Sequence, residues 1–204
     1  VLFSCQVLEC SVQSNVKWFL NTGSVFQNLD NKEFSPLNLY SATKEAFVNL
    51  AKYYYDREMI KFCTLKLSDT YGPNDNRTKL INLLINSIET KTEIRLDSHK
   101  SQFINLTHIH DVISAYKLLI NLLNEDAHKY PNGTVFELKN SNQYTLLEVV
   151  EIIEKVSGIK LNLKWNEQNQ RDNIIAAPPN SHNVPHWSPK ILLDQGIMEI
   201  LRKD

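Results

Sequence analysis

Glycine is scarce in this sequence. Its 204 residues contain 5 glycines, Gly23, Gly72, Gly133, Gly158 and Gly196, and no two of them lie close together. A Gly-rich turn of the kind whose backbone N–H groups cradle a phosphate is therefore missing from the chain. Cysteine is also sparse. Cys5, Cys10 and Cys63 have neither an even count nor metal-site spacing, which excludes a disulfide framework and makes reduced thiols in the cytoplasm the expectation. Neither sign of charge is in excess: the net charge is −1 with acids and bases interspersed, so neither nucleic acid nor a membrane surface is expected as a partner. No apolar run approaches a membrane span, and Val1-Leu2-Phe3 lacks the basic leader of a signal peptide. Repeats and low-complexity tracts are absent too.

What is present supports one good core, because 42% of the residues are hydrophobic, in a chain short for two full domains. Periodicity predicts a helix from Phe3 to Asn15, with Cys5, Leu8 and Val12 on one side, and a buried strand Val16–Leu20 followed by the loop Asn21–Ser24. A helix from Ser35 to Tyr55 and a strand over Lys61–Leu67 come next, closed by a turn at Tyr71-Gly72-Pro73. Helix, strand, helix, strand in this order is the pattern of a parallel sheet with helices on its faces. The second half is more mixed. Helices are expected at Lys79–Ile88, Asp111–Leu123 and Ile191–Arg202, with strands at Glu93–Leu96, Phe103–Ile109, Thr134–Leu138 and Leu161–Trp165. Thr145 and Glu148 form a capping box opening a helix to Val156, with Gly158 as its stop signal. The polar stretch from Asn166 to Pro185 reads as a long loop.

The stretch Ser35-Pro36-Leu37-Asn38-Leu39-Tyr40-Ser41-Ala42-Thr43-Lys44 stands out. Ser35 is placed to cap the helix, Pro36 suits its first turn, and Tyr40 and Lys44 fall at i and i+4 on one face. Phe47, Leu50, Ala51 and Tyr54 continue that stripe, so it is expected to turn inward. A lysine there is costly unless its charge is used, and a cation beside a phenol favours the phenolate, equipping Tyr40 to move a proton. The spacing by itself is weak, since chance supplies roughly 0.7 Tyr-x-x-x-Lys pairs in such a chain. His108, His110 and Asp111 raise the thought of a metal, because alternate histidines on a strand share a face. Packing and helix capping are the simpler reading, and no metal is expected.

Taken in order, Thr22, then Tyr40-Ser-Ala-Thr-Lys44, Leu67-Ser-Asp-Thr-Tyr-Gly-Pro73, Thr107-His-Ile-His-Asp111 and His186-Trp187-Ser-Pro-Lys190 resemble the extended short-chain dehydrogenase/reductases, specifically the NAD-dependent epimerase/dehydratase family. The run Phe19–Phe26 is most similar to the branch of sugar 4-ketoreductases that contains CDP-abequose synthase. The resemblance implies an α/β fold: a partial Rossmann-like, doubly wound parallel sheet over 1–70, and a smaller C-terminal α/β substrate subdomain over 71–204, with 103–123 returning to the Rossmann part. It also implies NAD or NADP as cofactor and a nucleotide-activated sugar as substrate, and it leaves room for a homodimer. By position, Tyr40 matches the catalytic acid/base, Lys44 the lysine that favours the phenolate and holds the nicotinamide ribose, and Thr22 the hydroxyl that bonds the reacting sugar oxygen. Asp69 and Thr70 match the loop beside nicotinamide and sugar. Ser24 and Phe26 match the sugar side, Leu80 and Ile81 the nucleotide base, and Arg171 an arginine that pairs with the diphosphate.

The departures from that family shape the expectation. Its members open with a strand and a Gly-rich turn that bind the pyrophosphate, and about the first third of such a member is missing here. Ile104-Asn105-Leu106 stands where many relatives carry Arg-Asp-Phe, with the arginine on phosphate. Thr22-Gly23-Ser24 stands where sugar 4,6-dehydratases carry Thr-Asp-Glu, which disfavours dehydration. Two readings stay open at this point: an NAD(P)-dependent reductase or epimerase of a nucleotide sugar, or a cofactor-less fragment or remnant that binds the nucleotide sugar without catalysis.

Overall fold

Strand β2 (Lys61–Leu67) is the element on which the first half of the molecule is built. Phe62, Cys63, Thr64, Leu65 and Lys66 in its middle are all buried, as expected of a parallel strand covered on both faces. The computed structural model describes residues 1–29, 32–97, 99–125, 129–138, 140–166 and 181–202. In chain order its elements are α1 (Leu2–Gln13), β1 (Trp18–Ser24), α2 (Leu39–Tyr55), β2, β3 (Asp69–Tyr71), α3 (Leu80–Thr90), β4 (Ile94–Leu96), β5 (Phe103–Ile104) and β6 (Leu106–His108). They continue with α4 (Ile109–Glu125), β7 (Thr134–Glu137), β8 (Tyr144–Thr145), α5 (Leu146–Ser157), β9 (Leu163–Trp165), β10 (His182–Asn183) and α6 (Leu193–Arg202). Among the described residues, no helix is long and apolar enough to cross a membrane.

The chain forms two units, the first from Val1–Ser68, Ala115–Lys139 and Ile175–Trp187, the second from Asp69–Ser114, Asn140–Ile174 and Ser188–Asp204. In the first, β1, β2, β7 and β10 make a parallel sheet in that order. The β1–β2 register runs from Trp18 opposite Lys61 to Ser24 opposite Leu67. Leu8, Phe47, Ala51, Ile60 and Phe62 form one core of this unit, with Phe62 stacked on Phe19 at 5.8 Å and on Tyr55 at 5.4 Å. Burial pushes the Cys63 thiol up to about 12, so this cysteine acts as a small apolar group. Asn132 closes the edge by accepting from the Phe62 N–H at 2.6 Å and donating to the Tyr55 and Ile60 carbonyls. The next residue, Gly133, has φ +85°, and a Cβ there would meet the Tyr55 ring at 2.9 Å, so both backbone and space require glycine.

The second unit packs α3, α5 and α6 around Tyr71, Leu84, Leu106, Val149, Ile153, Leu193 and Ile197. Short strand pairs surround them: β3 with β6 and β4 with β9 in parallel, β5 with β8 antiparallel. The Thr145–Glu148 capping box is present, and Gly158 ends α5 in the left-handed region at φ 70°.

Several boundaries differ from expectation, each for a local reason. The run Asn21–Ser24 is strand rather than loop, because its polar side chains find partners within the sheet: Asn21 Nδ2 donates to Thr64 Oγ1 at 3.2 Å. Asn38, and not Ser35, caps α2, its Oδ1 accepting from the Ser41 N–H at 2.9 Å. Ser35 is instead held in extended backbone, its carbonyl accepting from the Leu29 N–H. The single strand expected over Phe103–Ile109 is two strands serving different partners, with Asn105 between them bonded to the Asn140 carbonyl. Helix α6 starts at Leu193, since the N–H groups of Lys190 and Ile191 are taken by the Asp111 carboxylate at 3.0–3.1 Å.

The inward stripe of α2 is narrower than its periodicity suggests: Phe47 and Ala51 are buried, whereas Leu50 is 49% exposed and Tyr40 59%. Replacing Phe47 with Ala is therefore expected to lower stability by about 3–5 kcal/mol. Leu50→Ala should stay within about 0.5 kcal/mol. Urea unfolding of the two variants beside the parent checks the difference, and equal losses would contradict this helix rotation.

Candidate active site

In the first unit, α2 and β1 bring Thr22, Tyr40 and Lys44 together. The capped first turn of α2 presents Tyr40, and Lys44 follows one turn later. The Lys44 ammonium donates to the Thr22 carbonyl at 2.9 Å and lies 5.7 Å from the centre of the Tyr40 ring. Thr22 lies in β1 two residues before its end, with its side chain exposed, and its Oγ1 is hydrogen-bonded to Tyr116 Oη at 2.5 Å, either hydroxyl being able to donate. Burial raises the Tyr116 phenol above its usual range, with the Thr22 bond acting against the shift.

Beneath these groups lies a polar network that joins the strand to the helix. The Ser24 N–H donates to Gln27 Oε1 at 2.8 Å, and Gln27 Nε2 donates to Glu45 Oε2 at 2.6 Å. The buried Lys66 ammonium sits 3.8 Å from the same Glu45 oxygen and donates to Asn28 Oδ1 at 2.5 Å. Burial holds Lys66 below its ordinary range, while Glu45 and Glu137 act to raise it. Sequence reasoning missed Tyr116, Gln27, Glu45 and Lys66. Lys66 alone carried a signal, as a cation inside an otherwise apolar strand.

Of the other expected site residues, Ser24 is buried and caps a short 3-10 turn at Val25–Gln27, its Oγ accepting from the Phe26 N–H at 3.3 Å, and Phe26 is half-buried. Asp69, Thr70, Leu80 and Ile81 belong to the second unit, where all four line one cavity of about 100 Å³ with Lys79, Asp75 and Ile104. Burial raises the Asp69 carboxyl, and the Lys79 ammonium 4.0 Å away acts to lower it. Arg171 lies outside the described residues. His108 and His110 approach Glu199, which comes from α6 and has no local sequence signal. Burial lowers the His108 imidazole, with Glu199 opposing.

A parallel α/β sheet that carries a Tyr–Lys pair on a helix beside a threonine on the preceding strand belongs to a Rossmann-like class. The family model described as NAD dependent epimerase/dehydratase matches residues 1–133, and the chain belongs to that family. CDP-abequose synthase of Yersinia pseudotuberculosis is 25% identical over 186 residues, covering 91% of this chain and 63% of that protein. A dTDP-D-glucose 4,6-dehydratase of Mus musculus is 22% identical over 189 residues, 88% of this chain and 52% of that one. The chain thus spans less than two thirds of the length of these relatives. Among solved structures, UDP-glucuronic acid 4-epimerase from Bacillus cereus in complex with UDP-glucuronic acid and NAD superposes with a TM-score of 0.79 at 17% identity. That match covers 100% of this chain and 66% of the epimerase. At this identity the likeness speaks for the fold.

The buried lysine gives a pH signature. Its folded-state value is depressed, so between that value and the ordinary lysine value near ~10.4 this group binds more protons in the unfolded chain than in the folded one, and its own contribution to stability rises with pH. Lys66→Met is expected to make the slope of stability against pH less positive than in the parent. Urea unfolding from about pH 8 to about pH 10 measures it, and an unchanged slope in the variant would assign the effect elsewhere.

Proposed function

We propose that this chain is part of an NAD(P)-dependent enzyme that reduces or epimerises C4 of a nucleotide-activated sugar, with Tyr40 as acid/base, Lys44 holding the nicotinamide ribose and Thr22 bonding the sugar oxygen. The observation that carries the reading is the convergence of the Lys44 ammonium, the Thr22 backbone and the Tyr40 ring at one place in the first unit. Family membership supports the cofactor, and relatives that act on nucleotide sugars support the substrate class.

The donor set suits the ribose end of a dinucleotide. An ammonium has three N–H donors, and the bond to Thr22 uses one, so Lys44 keeps two for a ribose diol. NAD or NADP, when bound, supplies the hydride exchange with the sugar carbon. The chain's own residues manage the rest. Tyr40, exposed at the helix start, passes a proton to the sugar oxygen as that carbon gains hydride, and takes it back in the reverse direction. Thr22 fixes the sugar oxygen, and Tyr116 holds the Thr22 hydroxyl in turn. In the second unit, the cavity lined by Asp69, Thr70, Leu80 and Ile81 is the part of the chain proposed to receive substrate. Ile104 gives that cavity an apolar wall where many relatives place a phosphate-binding arginine. Diphosphate recognition would then fall to Arg171 or Lys79.

Tyr40→Phe in the whole protein should cut turnover by roughly 10²–10⁴-fold while cofactor binding stays close to that of the parent. Lys44→Ala should weaken both. Steady-state rates with candidate 4-keto and 4-hydroxy nucleotide sugars, beside NAD(P) titration, provide the check. Full turnover in the phenylalanine variant would remove Tyr40 from the mechanism. Failure of the parent to bind either dinucleotide would favour a binding remnant without catalysis.

A further inference from the structure

A cluster in the second unit has no role in that reaction. The His108 side chain is fully enclosed, yet its Nε2 has no hydrogen-bond partner among the described residues. That nitrogen stands 3.5 Å from Glu199 Oε2, and His110 Nδ1 stands 3.8 Å from Glu199 Oε1. One ligand atom from each of the three residues falls within 4.8 Å of the other two. Two imidazoles thus flank a single carboxylate, and the buried nitrogen turned toward it is unsatisfied, which is costly unless a further group completes the site.

We infer that His108, His110 and Glu199 form a binding site for a divalent transition-metal ion of the zinc class. Two histidines and a glutamate are a ligand set that zinc accepts, with bonds of about 2.0–2.2 Å and a fourth position left open. Tetrahedral ligands at that bond length stand about 3.3–3.5 Å apart, so the two histidine–glutamate separations need to close only slightly, and the two imidazole nitrogens, within 4.8 Å of each other, must close further. The required mobility lies on the correct side. His108 is fixed by edge contacts with Tyr71 at 5.2 Å and His110 at 5.0 Å, and by α6, where a Cβ on Gly196 would stand 2.9 Å from its Cδ2. The side chains of His110 and Glu199 are 57% and 39% exposed and can close onto the ion. Glu199 also lines a cavity of about 630 Å³, through which a water can reach the fourth position. Ligation through Nε2 leaves the ring proton of His108 on Nδ1. Among the described residues, the hydrogen bond this displaces is a long one, from the His110 N–H at 3.4 Å.

The ion would act as a staple. It would tie α6 to the junction of β6 and α4, where the Asp111 carboxylate already holds residues 190 and 191 just ahead of α6. This assignment is independent of the reaction proposed above, because none of its ligands takes part in it.

The test is titration of the chelator-treated chain with zinc and with cobalt. One ion per chain is expected, with visible cobalt absorption but no thiolate charge-transfer band, and a midpoint of thermal unfolding raised by roughly 5–10 °C at a hundredfold excess over the dissociation constant. His108→Ala could fail to fold, so the decisive variants are the exposed His110→Ala and Glu199→Gln, each expected to weaken binding at least tenfold and to remove the thermal shift. No stoichiometric binding, a thiolate band that points to the cysteines, or undiminished affinity in both variants would overturn the assignment.

Discussion

The bond from the Lys44 ammonium to the Thr22 carbonyl requires one rotation of α2 against β1, and the candidate active site depends on it. A lysine reaches a strand carbonyl only if its helix is turned correctly, and one residue of error rotates a helix by about 100°. That rotation is set by packing. Phe47 and Ala51, three and seven residues beyond Lys44, are buried against Phe62 and Phe19, and they leave Tyr40 and Lys44 at the rim of the same face. The aromatic core and the ammonium bond are two ends of one constraint. Tyr40 gains its exposure from its place in the first turn, ahead of the buried part of the stripe.

The network under the site shows how a polar interior can serve the same end. Gln27 bonds both the end of β1 and Glu45 of α2, and Glu45 faces the Lys66 ammonium. Burying an ammonium is expensive, and a neighbouring carboxylate offsets only part of the cost. What such groups contribute is direction. An apolar core tolerates small slides of helix over sheet, whereas hydrogen bonds with defined lengths do not. The sequence places Glu45 directly after Lys44, so the residue that anchors the helix from beneath adjoins the one that reaches the strand.

Much of this was legible in the sequence, and what was not has a common cause. The helices of the second half and strand Lys61–Leu67 follow from periodicity, and the capping box and Gly158 stop from local chemistry, because in each case the deciding interaction lies within a few residues. The Tyr40–Lys44 pair was visible for the same reason. Errors arose mainly where a distant partner decided the outcome: Asn21 became strand through Thr64, and Asp111 delayed the start of α6 through residues 79 and 80 positions away, whereas Ser35 lost the cap to its near neighbour Asn38. Glu199 and Tyr116 were invisible because only folding brings them to His108 and Thr22.

The same long-range packing bears on which chemistry β1 can host. Gly23 follows Thr22 in the position where sugar dehydratases carry an acid, and its surroundings leave no room for one. A Cβ at residue 23 would stand 2.8 Å from Thr64 Cγ2 and 2.9 Å from both Gln27 Oε1 and Lys66 Cγ, so even alanine would have to displace the network that anchors α2. Ser24 is committed as well, with its hydroxyl capping the turn and its N–H held by Gln27. Loss of water from a sugar needs an acid and a base beyond the tyrosine, and β1 offers neither. In the reaction proposed above, proton exchange at one oxygen through Tyr40 would pair with hydride exchange at the attached carbon, and β1 adds no acid or base to that pair, which disfavours elimination.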